Sequence, residues 1–487
     1  MTARRRLAVL SLALSALLAV GAPRPARAGD VEEARRAARA AVVDRLADLA
    51  EWAASGQLWL QRTRVARAIL RFDPSHPKAL AWLKYEKAPN GTWRPPAAFA
   101  EPKDAANAGA LPEFMKRRAD VAAEFRNRLF EALDREGPSL APAVRERAIE
   151  DVLAVGPDDP VAREANGELE RASAWILKET SVAPGRRAAL VAAAKAALAA
   201  VPEPASVPLL AEETALEGGW DTAFATAHFR AVGMKPGKEL SRAARTAQAA
   251  ISFFATAFGV EADELHGFTL LHFPSLAAGT AFISRSKAFP DGPRALALHC
   301  NSYWVPGARQ VLIYSDDPRV REEWPARHPI GEFLYAQFGV TLKTGWAQEG
   351  FGVYLSYLLT GQHRTFLVRI SDYATQPDPL ATALWKRLMA PETDWMAEAK
   401  AQLARMPRGD LRLLLGKDVN LMRGPDLVIS YALAAFFLEG RPSDTPGLLT
   451  DVGSAIPIDD AVSRRLHRSV DGLEARFRRF LDERKSP

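Results

Sequence analysis

The stretch HPIGEFLY at residues 328–335, followed by WAQEGF at residues 346–351, decides how the second half of the chain is interpreted. Around both stretches apolar residues recur at helical spacing, which predicts two successive helices over Pro325–Phe338 and Trp346–Leu359. Each predicted helix carries a single acidic residue among mostly apolar neighbours. An acidic residue in such surroundings is a candidate for chemistry, because carboxylates are seldom placed among apolar residues without a partner.

Predicted strands precede these two helices, and further helices follow them. Runs of β-branched and aromatic residues predict strands at Thr222–Val232, Gly267–Phe273, Ala295–Trp304 and Gln310–Tyr314. Amphipathic spacing predicts further helices at Leu240–Phe258, Leu427–Leu438 and Val470–Arg484. Strands that come first and helices that come after predict an α+β domain over residues 220–487 with a mainly helical C-terminal part.

Residues 29–215 form the other predicted domain, and their Ala-, Leu-, Arg- and Glu-rich sequence predicts an all-helical fold. Within this domain residues 69–79 align with residues 152–162. In both segments an amphipathic helix ends at a P-x-x-P motif, and a new helix begins soon afterwards. This arrangement resembles the edge of tetratricopeptide-type repeats, in which stacked helix pairs share one core. An irregular helical bundle is the other interpretation of the same pattern.

Residues 1–28 have the features of a Sec-type signal peptide. The three arginines Arg4–Arg6 precede an apolar run at Leu7–Ala22, and Ala26–Ala28 matches an A-x-A cleavage site. The apolar run has 16 residues, fewer than the ~20 that a membrane-spanning helix needs. We therefore expect an exported protein, periplasmic or extracellular, with no stable membrane anchor after signal cleavage.

The formal net charge of +6 belongs mostly to this signal segment. The segment holds five arginines and no acidic residue, so its removal leaves a mature chain with a net charge of +1. A nearly neutral chain removes the main support for nucleic-acid binding, and no nucleic-acid partner is expected. The single cysteine, Cys300, excludes an internal disulfide and a zinc site built from several cysteines.

The order of strands and helices over residues 220–485, with a central glutamate in one helix and a W-x-x-E-G start in the next, resembles the peptidase-MA-like branch of the gluzincin zinc metallopeptidases. In that family one helix carries H-E-x-x-H, and its two histidines bind zinc from one helical face. The glutamate after the first histidine is the general base, and the next helix supplies a glutamate as the third ligand. The resemblance implies a gluzincin-like domain with a small mixed sheet.

The chain departs from this motif at both histidines. Gly331 and Tyr335 stand in the histidine positions, whereas Glu332 keeps the position of the base and Glu349 that of the third ligand. Glycine has no side chain to bind zinc, and a neutral phenol is a poor substitute for imidazole. A catalytic zinc site uses about three protein ligands. The resemblance therefore implies no bound metal, no other cofactor and an inactive base at Glu332.

A second alignment frame yields a different set of ligands. His328 and Glu332 are four residues apart, and with Glu349 they offer zinc one imidazole and two carboxylates. In this frame Pro329 replaces the general base, and a proline disfavours helical geometry at the residue before it. Both glutamates also have interpretations without a metal. Glu332 is then a hydrogen-bonded carboxylate, and Glu349 is stabilised by the dipole of its helix.

These observations lead to three hypotheses about function. The favoured hypothesis is an exported, non-catalytic protein that binds or scaffolds a peptide or protein partner in the cell envelope. Its metallopeptidase-like domain keeps a cleft lined by Tyr335, Trp346 and Glu349, where an extended peptide adds to a sheet edge. The alternative is an active metal-dependent peptidase with an atypical site of His328, Glu332 and Glu349. The third is a purely structural role in the envelope.

Overall fold

The computed structural model describes most of the chain after the predicted signal peptide, of which it includes only Ala28. The protein is mixed α+β, and it forms two compact units that are divided between Glu168 and Leu169. None of the helices in the described part combines the length and the apolar character that a membrane crossing needs. The described residues are 28–105, 109–137, 140–216, 218–234, 237–261, 268–287, 289, 291–298, 300, 302–305, 309–363 and 379–484.

The first unit consists mainly of helices, which confirms the predicted helical character of the N-terminal region. The first helix packs against the second and the fourth. Its residues Leu46, Leu49 and Ala53 are buried, because their spacing places them on one helical face. The helices of this unit are α1 (Ala28–Ser55), α2 (Trp59–Phe72), α3 (Pro77–Trp82), α4 (Ala110–Glu136), α5 (Pro142–Val155) and α6 (Pro160–Ala165).

The two segments that align in sequence also have the same local structure. In both, a 14-residue helix (α2 or α5) is followed by a six-residue helix (α3 or α6) that begins with proline. The side chain before that proline caps the short helix. His76 accepts the Ala79 N–H at 3.2 Å, and Asp159 accepts the Ala162 N–H at 2.9 Å.

Short two-stranded sheets follow both short helices, and the all-helical prediction missed them. Strands β1 (Glu86–Lys87) and β2 (Trp93–Arg94) follow α3, and β3 (Glu168–Arg171) and β4 (Ala174–Leu177) follow α6. The first pair encloses a turn at Asn90 and Gly91, where Gly91 has a φ of +82°. Turn residues of this kind interrupt the helical pattern and allow the chain to reverse.

The second unit includes residues that the sequence interpretation assigned to the first domain. Helix α7 (Lys178–Ala200) packs on the long helix α9 (Lys238–Phe258) and on the π-helical segment Phe436–Gly440. The change in composition lies near residue 215, whereas the division between the compact units lies at residue 168. Composition did not distinguish the two, because an alanine-rich amphipathic helix can pack against either core.

The second unit contains a six-stranded mixed sheet. Its strand order is β5–β6–β7–β8–β10–β9, in which β8 pairs in parallel with β7 and with β10, and the other pairs are antiparallel. Helix α9 connects β7 to β8 and buries its apolar face against the sheet and the later helices. The strands are β5 (Ala205–Val207), β6 (Thr222–Ala225), β7 (Phe229–Gly233), β8 (Phe268–His272), β9 (Ser302–Val305) and β10 (Gln310–Ile313).

Two of the predicted strands were wrong in detail. The segment predicted as one strand at Thr222–Val232 is a hairpin of β6 and β7, closed by a hydrogen bond from Thr226 N to Phe229 O of 2.8 Å. The segment predicted as a strand at Ala295–Trp304 begins as helix α11 (Asp291–Leu298), and β9 occupies only its end. A short apolar run fits helix and strand equally well, so periodicity alone did not decide the second case.

The predicted helix Pro325–Phe338 consists of the end of α12 (Pro318–Arg327), His328 and the whole of α13 (Pro329–Phe338). They meet at His328, whose φ of −61° and ψ of −38° are helical. The expectation that Pro329 keeps His328 out of helical geometry was therefore wrong. Pro329 is the first residue of α13, a position where the missing N–H costs no helical hydrogen bond.

Two of the remaining helices, α14 (Gly345–Thr360) and α18 (Gly424–Ala435), pack on each other at the centre of the helical C-terminal part. Both members of this pair are almost wholly buried. The others are α8 (Ala211–Ala215), α10 (Leu276–Arg285), α15 (Pro379–Leu388), α16 (Trp395–Arg405), α17 (Leu411–Leu415), a 3-10 turn (Val419–Leu421), α19 (Thr445–Gly453), α20 (Ile458–Leu466) and α21 (Val470–Glu483).

Candidate functional site

The junction of α12 and α13 brings two of the predicted site residues to strand β9. His328 lies at the junction, and its Nε2 is 3.4 Å from the Ser302 Oγ of β9. Glu332 follows one helical turn later and faces the indole of Trp304. Ser302 and Trp304 are two residues apart and therefore share one face of the strand. His328 and Glu332 thus both lie against the same strand.

His328 is enclosed by aromatic and hydroxyl groups. Its ring stacks on the Trp324 indole, with 4.1 Å between the ring centroids and 12° between the planes. Burial lowers the pKa of His328 to about 3, and the positive charge of Arg327 adds to this effect. The imidazole is therefore uncharged at neutral pH. Its stacking on Trp324 and its contact with Ser302 fix the ring between α12 and β9.

Glu332 is a half-buried carboxylate next to the sheet. Burial raises the pKa of Glu332 above its ordinary value, and Arg309 and the Trp304 indole partly offset the rise. The Trp304 N–H does not reach normal hydrogen-bond geometry with the carboxylate, so we treat it as a weak electrostatic contact. Glu332 thus combines restricted hydration with access to solvent, which suits a carboxylate that accepts hydrogen bonds from a ligand.

Gly331 and Tyr335, which stand in the histidine positions, have different surroundings. The Tyr335 side chain is 60 % exposed, one turn after Glu332. Gly331 is buried against α14, where an added Cβ atom would lie 3.0 Å from Gln348 Oε1. Gln348 is held by a 3.1 Å hydrogen bond from its Nε2 to the Val340 carbonyl. A larger side chain at 331 therefore requires Gln348 to move.

Glu349 pairs with an arginine that the sequence interpretation did not include. A guanidinium nitrogen of Arg327, Nη2, contacts Glu349 Oε2 directly. The other terminal nitrogen, Nη1, lies 3.9 Å from Glu323 Oε1, and the Glu323 side chain is fully buried. Glu349 itself is 16 % exposed. Its partner is therefore a cation at the end of α12, two helices earlier in the chain.

Trp346 is part of the core. Its side chain is fully buried, and its ring lies 5.7 Å from that of Phe437 and 6.0 Å from that of Phe351 between centroids. Tyr335, by contrast, is on the surface, and Glu349 is mostly enclosed. The predicted cleft of Tyr335, Trp346 and Glu349 is therefore not a continuous surface, because Trp346 has no exposed area to contribute.

The residues present do not fit a zinc ion in either alignment frame. In the first frame Gly331 offers no ligand, and Tyr335 extends into solvent. In the second frame His328 is stacked on Trp324, and Glu349 is occupied by Arg327. Across the part of the chain that the structure describes, no group of three His, Cys, Asp or Glu side chains is arranged to hold a metal ion.

The residues that the sequence did not identify at this site are the side chains that contact His328, Glu332 and Glu349. Arg327 is four residues after Glu323, and this E-x-x-x-R spacing is a recognisable signal for a helical ion pair. Trp324 and His328 also show i,i+4 spacing, which allows stacking on one helical face. Arg309 and Trp304 carry no comparable signal, because they reach Glu332 only through the pairing of β9 with β10.

The surroundings of Glu332 and β9 contain the features that bear on function, and comparison with known proteins adds no further constraint. No known family, curated protein or solved structure matches this chain.

Proposed function

We propose that the protein is exported through its N-terminal signal peptide and acts without catalysis, binding an extended peptide or protein segment at strand β9 beside Glu332. The partner belongs to the cell envelope, the compartment that the signal peptide implies. The helical first unit offers a further surface for a scaffolding role. The observation that carries the proposal is the position of a half-buried carboxylate next to the last strand of the sheet.

The backbone of β9 supports the binding mode. Within the described residues β9 pairs with β10 alone, so its other side presents backbone N–H and C=O groups to a further strand. An extended peptide that adds to such an edge gains backbone hydrogen bonds, and its alternate side chains contact the neighbouring surface. The half-buried side chains of Tyr303 and Trp304 supply aromatic surface for those contacts.

The charges beside β9 indicate the chemistry of the ligand. Glu332 accepts hydrogen bonds, whereas Arg309 donates them, and Arg309 is exposed. A peptide with a basic or amide side chain directed at Glu332 satisfies the carboxylate by a charge-assisted hydrogen bond. The expected ligand is therefore an extended peptide with at least one lysine, arginine, asparagine or glutamine.

A binding assay with defined peptides tests the proposal. A random phage-displayed peptide library selects ligands on the mature chain, and fluorescence anisotropy then measures Kd for synthetic versions. We expect Glu332→Gln to weaken binding about ten-fold, or ~1.4 kcal/mol, the scale of a hydrogen bond to a charged group. The exposed Glu392 offers a matched control, and Glu392→Gln is expected to leave Kd unchanged.

Methylation of the peptide backbone tests the strand geometry. In an added strand, alternate N–H groups face the sheet, so N-methylation at every second residue should abolish binding while the intervening positions tolerate it. Uniform tolerance to N-methylation, together with full affinity in Glu332→Gln, would rule out binding at this edge.

The absence of catalysis has its own assay. Mass spectrometry of the selected peptides after prolonged incubation with the protein should show only intact peptide. Cleavage that persists through repurification and disappears in Glu332→Gln would overturn the non-catalytic assignment in favour of the peptidase alternative.

Export is tested by the N-terminus of the protein in a bacterial host. We expect the mature chain in the periplasm or medium to begin at Gly29, directly after the A-x-A site. Ala28→Leu should leave the chain unprocessed, whereas the neighbouring Arg27→Lys should be processed normally. Full-length protein in the cytoplasm, with its leader intact, would contradict export.

A further inference from the structure

Arg327 is the most enclosed cation beside the candidate site. It is the last residue of α12, and only 7 % of its side chain is exposed. Its two terminal nitrogens meet carboxylates from two helices, Glu323 in α12 and Glu349 in α14. One positive charge therefore faces two negative charges in a poorly hydrated space.

The Arg327 side chain also lies against the backbone of α14 at Gly352. A Cβ atom added at Gly352 would lie 3.7 Å from Arg327 Nε and 3.1 Å from Ile330 Cγ2. The distance to Arg327 is an ordinary van der Waals contact, so the arginine side chain lies directly against α14, three residues after Glu349. Because α12 and α14 pack directly on each other, the ion pair lies within their contact.

We propose that the Arg327 guanidinium is a built-in cation that takes the place of a metal ion between Glu323 and Glu349. Two carboxylates from separate helices supply the oxygen ligands that divalent cations use. In the native protein the guanidinium contacts Glu349 directly and lies 3.9 Å from Glu323, so it joins α12 to α14 and occupies the space between the two carboxylates. This inference is independent of peptide binding at β9.

Removal of the arginine side chain should convert the closed pair into a cation site. In the mature full chain we expect Arg327→Ala to lower the unfolding temperature measured in EDTA. Millimolar ethylguanidinium or Mn²⁺ should recover at least half of that loss, whereas KCl of equal ionic strength should not. The parent protein should show no recovery effect, and the matched control Arg319→Ala, an exposed arginine of the same helix, should behave like the parent.

The second carboxylate identifies where the added cation binds. In Arg327→Ala/Glu349→Gln, ethylguanidinium and Mn²⁺ should no longer raise the unfolding temperature, because one of the two ligands is gone. Persistence of the rescue in this double variant would place the cation elsewhere and overturn the proposal. The proposal is also overturned if Mn²⁺ raises the unfolding temperature of the parent protein and does not raise that of Glu349→Gln.

A double-mutant cycle keeps the proposal testable if Arg327→Ala does not fold. Arg327→Gln, Glu349→Gln and their combination are compared by unfolding temperature. We expect the combination to be more stable than the sum of the single losses predicts, because each single variant already loses the contact between Arg327 and Glu349 and the combination cannot lose it twice. Losses that simply add would show that Arg327 and Glu349 act independently and would refute the built-in cation.

Discussion

His328 and Glu332 lie one helical turn apart, and burial disfavours the charged form of both. For a base this lowers the pKa, to about 3 in His328, and for an acid it raises the pKa, as in Glu332. Arg327 adds to the effect on His328, whereas Arg309 opposes the effect on Glu332. The result is a neutral imidazole and a carboxylate with a raised pKa one helical turn apart, and both residues are partly exposed to solvent.

The lowered pKa of His328 predicts a specific acid sensitivity. The unfolded chain takes up a proton below a pH of about 6.5, whereas the native His328 remains neutral down to about 3. Its contribution to stability is complete above pH 6.5 and is lost as the pH falls from 6.5 towards 3. His328→Phe keeps an aromatic ring on Trp324 and removes the pH-dependent contribution of the imidazole to stability.

Urea unfolding at pH 7.5, 6.0 and 4.5 measures the effect. Relative to the parent, His328→Phe should gain stability as the pH falls, at no more than ~1.4 kcal/mol per pH unit. The buried His272, whose pKa is also lowered, contributes equally to both proteins and cancels in the comparison. His467→Asn, at an exposed histidine, should follow the parent at every pH. A constant difference between His328→Phe and the parent would refute the prediction.

The raised pKa of Glu332 predicts the opposite pH dependence. A carboxyl with a raised native pKa costs stability as the pH rises through that pKa, because the native state holds the ionised form less well than the unfolded chain does. Glu332→Gln should therefore be more stable than the parent at pH 7, by no more than ~1 kcal/mol because the side chain is half-exposed and faces Arg309. This difference in stability between Glu332→Gln and the parent should vanish below pH 4.

Thermal unfolding of both proteins at pH 3.5 and 7 measures the difference. A Glu332→Gln variant that is less stable than the parent at pH 7 would show that ionised Glu332 supports the fold.

Sequence reasoning could identify the acids of the site but not their partners. Glu332 and Glu349 were recognisable because each interrupts an apolar helix. The ion pair of Glu349 with Arg327 joins residues 22 apart on different helices, and the environment of Glu332 depends on strand pairing. Such contacts are set by how the elements pack, which a pattern within one element does not encode. Trp346 shows the same limit, since its burial depends on Phe437.

Secondary-structure elements were predictable where the pattern was long. Helix α9 spans 21 residues with a clear apolar face, and its predicted and observed ends agree within two residues. Short segments failed, because the run at Ala295–Trp304 fitted helix and strand alike and Pro329 marked a helix junction within one predicted helix. The boundaries that matter for the site, at β9 and at His328, belong to this less predictable class.

The close packing of α14 on α18 predicts a severe effect of one added methyl group. At Gly350 a Cβ atom would lie 2.4 Å from the Ser430 carbonyl oxygen, so the helices must separate. We expect Gly350→Ala to lower the free energy of unfolding by about 1–3 kcal/mol or more. Gly185 in α7 is the matched control, because no atom outside its own stretch of helix backbone lies within 4 Å of an added Cβ there. Gly185→Ala should gain ~0.5–1 kcal/mol from helix propensity. Chemical denaturation measures the free energy of unfolding of both variants. An equal gain in this free energy at both sites would contradict the close helix contact.

At the scale of the whole molecule, composition and packing divide the chain at different places. The alanine-rich sequence continues to about residue 215, but α7 already contributes Ala183, Leu190 and Ala194 to the core of the second unit. Buried Glu179 of α7 also pairs with Arg476 of α21 at 2.5 Å. The α+β character was predictable from the order of the patterns, whereas the assignment of α7 required knowledge of what its apolar face covers.

These two divisions predict different behaviour of separately expressed fragments. Each compact unit has its own hydrophobic core, so residues 29–168 and 169–487 should each unfold cooperatively. Residues 220–487 lack α7 and β5, which removes the Glu179 partner of Arg476 and exposes apolar surface on α9. We expect this shorter fragment to unfold at a lower temperature than residues 169–487 and to bind a hydrophobic dye, because Arg476 has lost a buried partner and part of the core is exposed to solvent.

Calorimetry and dye fluorescence on the three fragments measure the unfolding temperature and the exposed apolar surface, with residues 169–487 as the matched control. Equal stability of the two C-terminal fragments would place the domain boundary near residue 215 and refute the role of α7 in the second core.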